Sequence, residues 1–484
     1  MTRDFEQYIG GTWTPGASRN HRSILSPYDG REVGSVAVSE LPDAETALAQ
    51  AHAAFAETQR LPSHVRHDIL RQIEDGISAR REELALGISD EAGKPIRDAR
   101  IEVDRARLVF SLAADEARRF QNGDFLPLDL NPASNGRIGI SRRFPLGLVA
   151  ALTPFNFPLN LVAHKVAPAL AAGCPLVLKP AEKTPLTALR LAEIVAETDW
   201  PKGAFSVLTP STPQEIGSLL ATDSRIKVVS FTGSAQVGWE LKAKANRKKV
   251  TLELGGNAAV IVHDDVPDLD YAISRCVSGA FANAGQVCIS VQRIFVHQAL
   301  FDDFLVRFAD AVSRMVIGDP GDTATDIGPM ISDAACHKAE AWRDEALSGG
   351  ARAVLLGSRR SGSTLLGPTI LTNTAAEMAV NQEEVFAPIV VVEPYDTFPE
   401  ALARVNDSRY GLQAGVFTRD VNRLFEAFAT LDVGGVIAND VPQYRVDNMP
   451  YGGVKDSGFG REGVRYAIEE MTELRLLALN LSAG

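Results

Sequence analysis

The spacing of apolar residues changes character several times along the chain. Residues 41–59, 63–86 and 96–120 place apolar side chains at the i, i+3, i+4 interval of an amphipathic helix, as in Ile69, Leu70, Ile73 and Ile77, and predict three helices in series, the second with Ser63 as its N-cap. The first forty residues read instead as short strands and turns, with Asp29-Gly30 supplying a hairpin turn because glycine tolerates positive φ. Between Asp124 and Phe144 two short extended runs flank Asn135-Gly136, a second two-residue hairpin signal.

From Leu146 the pattern alternates between strand and helix: GLVAAL, LVAHKVAPALAAG, PLVLKP, LTALRLAEIVAET, FSVL, QEIGSLLA, KVVSFTG, SAQVGWELKAKA and VTLELGG. Strands that are apolar throughout have no face to offer water, so the alternation predicts a parallel sheet covered by helices on both sides, a doubly wound dinucleotide-type architecture. A second alternation starts at Leu269 with LDYAISRCVSGAFANAG and runs through QRIFVH, FDDFLVRFADAVSRMV, ARAVLLG, Pro388 to Val392, a helix from Phe398 and GLQAGVFT. It predicts a second α/β domain. No repeat or low-complexity linker separates the two, which predicts a broad shared interface.

Composition narrows the chemistry. A chain of 484 residues with 45% hydrophobic and 23% charged positions is globular and long enough for several domains. Acidic residues outnumber basic ones 61 to 49, a net charge of −12, so no bulk positive field exists to hold nucleic acid or anionic lipid. The one basic run, Lys242 to Lys249, reads as a solvated helix end. Four cysteines form neither a disulfide framework nor a zinc-type spacing, so a reducing compartment and no metal are expected. The N-terminus lacks a leader's apolar stretch, and the apolar segment Phe144 to Ala163 is interrupted by Pro145, Pro154 and Pro158. A cytoplasmic protein acting on small molecules, with no membrane partner, is the expectation.

Three residues carry candidate chemistry. Cys288, in NAGQVCIS, lies among small residues that would let a ligand approach its thiol, whereas Cys174, Cys276 and Cys336 read as inert core. Glu253, in VTLELGGN, is a carboxylate on an apolar strand just before a Gly-Gly turn, where burial would raise its pKa and suit it to general-base work; a salt-bridged strand-end glutamate is the plain alternative. Asn156, in TPFNFP, is held between prolines and aromatics as either a turn residue or a rigid amide donor. Gly233-Ser234 opens a helix whose backbone N–H groups would attract a diphosphate, with Gly238 inside it, although the three-glycine fingerprint is absent.

Taken together, TPFNFP, LELGGN, GQVCIS and FTGS, with KPAEKTP, EEVFAP and PYGGVKDSGFGRE in the same order, resemble the NAD(P)-dependent aldehyde dehydrogenase superfamily over essentially the whole chain, and its lactaldehyde dehydrogenase-like branch most. The resemblance implies an α/β fold with a cofactor-binding unit formed by residues 1–122, 146–254 and 457–471, a hairpin for oligomerisation at 123–145, a catalytic unit at 255–456 and an oligomerisation strand at 472–484. It implies a homodimer or homotetramer. Cys288 would be the nucleophile, Asn156 with the Cys288 N–H the oxyanion donors, Glu253 the base that activates water against the thioester, and Lys165 with Glu462 a proton-relay pair. Thr153, Pro154, Lys179, Glu182, Gly233, Ser234, Glu384 and Phe386 would contact the cofactor, with the Glu182 carboxylate favouring NAD over NADP by repelling a 2′-phosphate.

The resemblance also implies a substrate wall of Phe157, Leu161, His164 and Tyr451, with Arg105 and Arg445 facing the aldehyde tail. Two guanidinium groups suit an anionic tail. Family members that take phosphorylated substrates carry Arg directly before the cysteine, where this chain has Val287. The expectation is therefore a small hydroxylated or anionic aldehyde, with lactaldehyde as the neutral case. A coenzyme A-acylating enzyme and a catalytically silent structural relative are the competing readings; the first generally lacks a residue like Glu253, and the second would not need Cys288, Glu253 and Asn156 together.

Overall fold

The computed structural model describes residues 3–210 and 212–481. Two large sheets dominate it. In the first, of eight strands, the parallel core runs in the order Lys249–Glu253, Ile226–Thr232, Leu148–Leu152, Leu176–Lys179, Phe205–Val207, with Gln7–Ile9 and Thr12–Thr14 added antiparallel beyond Phe205–Val207. The order reverses between Leu148–Leu152 and Ile226–Thr232, the two strands whose carboxyl ends flank the crevice where doubly wound sheets take ligands. Gly458–Phe459 closes the other edge antiparallel, setting Gly458 opposite Glu253. The second sheet, of seven strands, is parallel except for Arg352–Leu355 at its edge. Among the described residues, no helix is long and apolar enough to cross a membrane.

The helices cover the sheets as their spacing dictates. In Ile96–Ala117 the side chains of Ala99, Val103, Ala106, Val109, Phe110, Ala113 and Ala117 all turn inward. Helix Asn160–Ala172 is buried on every face, a Lys and a His included, and ends at Gly173 in the left-handed region (φ 82°).

Several details depart from the patterning. The helix expected over 63–86 is two helices, Ser63–Ala79 and Arg81–Ala92, because Arg80 leaves helical geometry (φ −107°, ψ 22°) and Glu82 and Glu83 then begin a new N-terminus, where the helix dipole favours them. Pro62, not Ser63, takes the cap position. Asp29-Gly30 does turn between antiparallel strands, with Gly30 at φ 74°. Asn135-Gly136 is not a two-residue hairpin: Phe125–Pro127 and Arg137–Pro145 are joined by residues 128–136, which include a 3-10 turn, and Asn135 (φ −53°, ψ 139°) followed by Gly136 (φ 74°) has the geometry of a type II turn. Strand Thr472–Asn480 pairs with Arg137–Pro145 along its whole length; residues 482–484 of the expected terminal strand lie outside the described residues. Strands Ala259–Val262, Thr369–Thr372 and Gly435–Ala438 are too short for their period to register in the sequence.

One buried ion pair fixes the approach to helix Asn160–Ala172. Glu102 accepts the backbone N–H groups of Leu159 (2.9 Å) and Asn160 (3.1 Å) on one oxygen and the Lys94 ammonium on the other, all out of water. Removing the carboxylate strands a buried cation and two helix N–H groups, so Glu102→Ala should cost about 3–5 kcal/mol. Urea unfolding is the measurement, with Glu102→Gln, which keeps an acceptor, expected between Glu102→Ala and wild type; an unchanged midpoint in Glu102→Ala would remove the pair from the fold's supports.

Candidate active site

Helix Leu269–Phe281 ends in three successive left-handed residues, Asn283 (φ 51°), Ala284 (φ 55°) and Gly285 (φ 70°). Asparagine and glycine tolerate this region, but alanine is strained there by roughly 1–2 kcal/mol. A Cβ at Gly285 would lie 2.3 Å from the Ala387 carbonyl oxygen, so the loop has no room for another residue. Buried Gln286 holds it: Nε2 donates to the carbonyls of Asn283 (3.1 Å) and Pro329 (3.3 Å), and Oε1 accepts the Ile331 N–H (2.8 Å). The result is a half-buried Cys288, while Cys174, Cys276 and Cys336 are fully buried. Nothing in the sequence marks Gln286, because its partners lie far along the chain.

Asn156 follows strand Leu148–Leu152 and reaches across to the second sheet. Its Nδ2 donates to the Gln286 carbonyl at 2.9 Å, which aims the amide at the cysteine loop and leaves a second N–H on the same nitrogen. Phe155, beside it, packs edge-on against Phe386, with ring centroids 5.9 Å apart.

Glu253 sits at the carboxyl end of its strand with neither carboxylate oxygen hydrogen-bonded, and it is 3% exposed. Burial, and then the nearby Glu462 charge, push its pKa well above the ordinary range. Its space depends on Gly452, where a Cβ would come within 2.9 Å of Oε1. Behind it, Lys165 donates to Glu462 (2.8 Å) and Ser230 (3.0 Å), and Arg445 Nη2 lies 3.4 Å from the other Glu462 oxygen. Burial alone would raise Glu462, but Lys165, His164 and Arg445 outweigh it and hold the carboxyl down at about 2. Glu462 reaches this place through paired backbone hydrogen bonds with Tyr451 (3.0 and 2.6 Å).

A cavity of about 200 Å³ opens onto Cys288 and is walled by Phe157, Leu161 and Tyr451, with Lys94, Arg105 and Arg445 as its cations. Five of the six expected wall and tail residues therefore meet the cavity, both arginines among them, but His164 does not. It is buried behind the wall, with Nε2 2.9 Å from Asp447, because Asp447 draws the ring away from the opening. The same Asp447 binds Arg105 through both of its oxygens (2.6 and 3.2 Å). Arg445 Nε is buried without a partner. A larger groove of about 750 Å³ lies alongside, yet its arginines are matched by acids, in the pairs Arg97–Asp326, Arg307–Asp270 and Arg314–Asp310, and it contains no nucleophile.

On the other side of Cys288 the crevice of the first sheet carries two buried hydroxyls without partners, Thr153 Oγ1 and Thr232 Oγ1, at the ends of the strands that flank the reversal. Ser234 is exposed, and its side chain does not cap helix Ala235–Lys244, so it is free for a ligand. A Cβ at Gly238 would meet Leu254 at 2.4 Å, so this glycine lets helix and sheet close together. Lys179 pairs with Glu182; burial raises that carboxyl, but Lys179 outweighs it and keeps it below its ordinary value. Arg22, which the sequence did not single out, clasps this loop by donating to the carbonyls of Glu182 (3.2 Å) and Pro210 (2.8 Å). Glu384 accepts the Gly256 N–H (3.1 Å), and burial raises it to about 7; Gln292 secures its loop through Val380, Glu383 and Val385. Pro154 is half-buried in the turn beside Thr153. Orphaned hydroxyls, a free helix start and an acid–base pair on adjacent loops fit an extended dinucleotide.

Residues 13–477 match the aldehyde dehydrogenase family. The chain is 44% identical over 481 residues to 3-sulfolactaldehyde dehydrogenase of Priestia megaterium, spanning 99% of each, and 36% identical over 477 residues to lactaldehyde dehydrogenase of Methanococcus aeolicus, spanning 98% of this chain and 99% of that one. It superposes on aldehyde dehydrogenase 21 of Physcomitrella patens in complex with the reaction product succinate with a TM-score of 0.96, at 41% identity over 100% of this chain and 99% of that one. Two further solved neighbours carry different cofactors: glyceraldehyde-3-phosphate dehydrogenase of Methanocaldococcus jannaschii with NADP (TM-score 0.90, 36% identity, 95% and 98% covered) and betaine aldehyde dehydrogenase of Staphylococcus aureus with NAD+ (0.94, 32%, 99% and 95%).

Proposed function

The chain belongs to the aldehyde dehydrogenase family, and from that premise we propose that it oxidises a short aldehyde with an anionic tail, a sulfolactaldehyde-like compound, to the carboxylic acid. The carrying observation is the buried, unpartnered Nε of Arg445 on a small cavity that also holds Lys94 and Arg105 and ends at Cys288. A cationic N–H left without an acceptor out of water is a ready donor to an anion. The name of the sulfolactaldehyde relative and the succinate held by the Physcomitrella enzyme support the same tail chemistry. Neutral lactaldehyde is the second reading, favoured by the pairing of Arg105 with Asp447.

In this reading the Cys288 thiolate adds to the aldehyde carbon, and the free Asn156 N–H and the Cys288 N–H donate hydrogen bonds to the developing oxyanion. NAD or NADP, held by Thr153, Pro154, Lys179, Glu182, Gly233, Ser234, Glu384 and Phe386, supplies the hydride acceptor when bound. NAD is the preferred form, because an ionised Glu182 repels a 2′-phosphate. Glu253 takes a proton from the water that attacks the thioester, for which its raised pKa suits it. Lys165 and Glu462 pass that proton onward. Residues 1–122, 146–254 and 457–471 form the cofactor-binding unit in this reading, and 255–456 the catalytic unit.

We also infer a homo-oligomer, a dimer or a tetramer of dimers, built on the sheet of Phe125–Pro127, Arg137–Pro145 and Thr472–Asn480. Leu474 and Leu476 stand 61% and 56% exposed on one face of its terminal strand and Leu477 56% exposed on the other, apolar surface that monomers rarely leave in water.

Four outcomes test these readings. Cys288→Ala should abolish turnover, and Glu253→Gln should give one rapid burst of reduced cofactor followed by a steady rate lower by about 100- to 10,000-fold; sustained turnover without the thiol, or normal hydrolysis without the carboxylate, contradicts the assignment. Arg445→Leu should lower kcat/KM for anionic aldehydes by about 10- to 100-fold more than for neutral ones of equal length. Equal losses would return the arginine to a structural role. Leu476→Lys combined with Leu477→Lys should reduce the mass measured by light scattering to that of a smaller assembly, and an unchanged mass would place the interface elsewhere.

A further inference from the structure

The Cys288 thiol faces one hydroxyl. Tyr451 Oη lies 3.1 Å from Sγ, and no other hydrogen-bond partner of this hydroxyl occurs among the described residues. Tyr451 is 2% exposed, and its ring packs among Val287, Ile289 and Leu412. Its backbone is clamped by the two hydrogen bonds to Glu462, which hold in place the Cα that carries the ring. Over the ring face lies the Arg445 guanidinium, with Cζ 3.7 Å from the centroid. A cation on the face of a phenol withdraws electron density and makes its O–H a stronger donor.

We infer that Tyr451 is a catalytic residue, the hydrogen-bond donor that holds the Cys288 thiolate, with Arg445 behind its ring as the residue that positions and strengthens the donor. This rests on the proposed role of Cys288 as nucleophile. The need for such a donor follows from the other charges around the sulfur. Glu384 and Glu253 oppose an anion there, and Arg445 alone favours one. Burial pushes the thiol up to about 11, with the Tyr451 hydrogen bond first among the influences that pull it back. The phenol keeps its own proton, since burial and the neighbouring thiol raise it well above its ordinary value. The thiol proton therefore departs to Glu253 or to water, and Tyr451 Oη–H donates to sulfur before and after that departure. Once sulfur is acylated it becomes a poor acceptor, and the same O–H is released toward the cavity that Tyr451 lines. Because Arg445 also meets the substrate tail, one side chain would link tail recognition to thiol reactivity.

The test is the rate at which iodoacetamide alkylates Cys288 from pH 6 to 12, each alkaline point taken in a brief jump from neutral buffer so that the range spans the raised thiol, followed by peptide mass in the full-length wild type and Tyr451→Phe. Phenylalanine fills the same space without the hydroxyl. In Tyr451→Phe the inflection should move to higher pH and the rate at pH 7 should fall about tenfold, one charge-assisted hydrogen bond's worth, while the high-pH plateau stays equal or rises because a less stabilised thiolate is more nucleophilic. Superimposed curves, or a drop by the same factor at every pH, overturn the inference, the latter marking a packing effect. A thermal midpoint matching wild type checks that the variant folds. Failure of the underlying reading looks different: turnover would survive in Cys288→Ala or after complete alkylation of Cys288, whatever the Tyr451→Phe curve does.

Discussion

The hydrogen bond from Asn156 to the Gln286 carbonyl joins the two halves of the molecule at the point where the chemistry would take place. Asn156 comes from the turn after a strand of the eight-stranded sheet, and Gln286 from the strained loop below the seven-stranded one. Each sheet buries its own core and needs nothing from the other to do so. The site, by contrast, lies at their junction, so the contacts that assemble it, such as Asn156 to Gln286 and Cys288 to Tyr451, are long-range in sequence. Three left-handed residues in a row are tolerable because Gln286, itself satisfied on three sides, over-determines their geometry.

A second constraint is charge without water. Glu253, Lys165, Glu462 and Arg445 are packed within a few residues of one another in the fold, all buried. Lys165 satisfies Glu462 and favours its carboxylate, and Glu253 is the group that gives way, pushed toward its protonated form by burial and by the Glu462 charge. The environment thus drives two glutamates of equal intrinsic acidity apart. One rests as a carboxylate, and the other takes up a proton far more readily. Gly452 and Gly255 are small for the same reason: a side chain at either would displace Glu253 or Glu384.

The cavity beside this arrangement carries its own charges. Its cations are held from behind, Lys94 by Glu102 and Arg105 by Asp447, which fixes their positions and takes up part of their charge. Arg445 is different, since its contacts with Glu462 and His164 are long (3.4 Å each) and one N–H faces no acceptor. The guanidinium proposed to bind the substrate tail lies on the ring of Tyr451, whose hydroxyl in turn touches the Cys288 thiol.

The sequence alone determined the two α/β alternations and the apolar strands, and it singled out Cys288, Glu253 and Asn156 as candidates, because these readings rest on local periodicity and on short motifs whose residues are contiguous. Local signals also misled where a single residue decided the outcome: nothing in the helical period of 63–86 reveals that Arg80 breaks it, and Asn135-Gly136 has the composition of a tight hairpin but closes a longer loop. His164 shares a helix with Lys165 and Leu161, and only tertiary packing against Asp447 turned it away from the cavity. Gln286, Gln292, Glu102 and Arg22 were invisible as supports, since a buried polar side chain is defined by partners tens to hundreds of residues away. Tyr451 was expected as a wall residue; that its hydroxyl touches the thiol and its ring carries a guanidinium was decided by the fold, which sets the Arg445–Tyr451 segment against a cysteine 163 positions earlier.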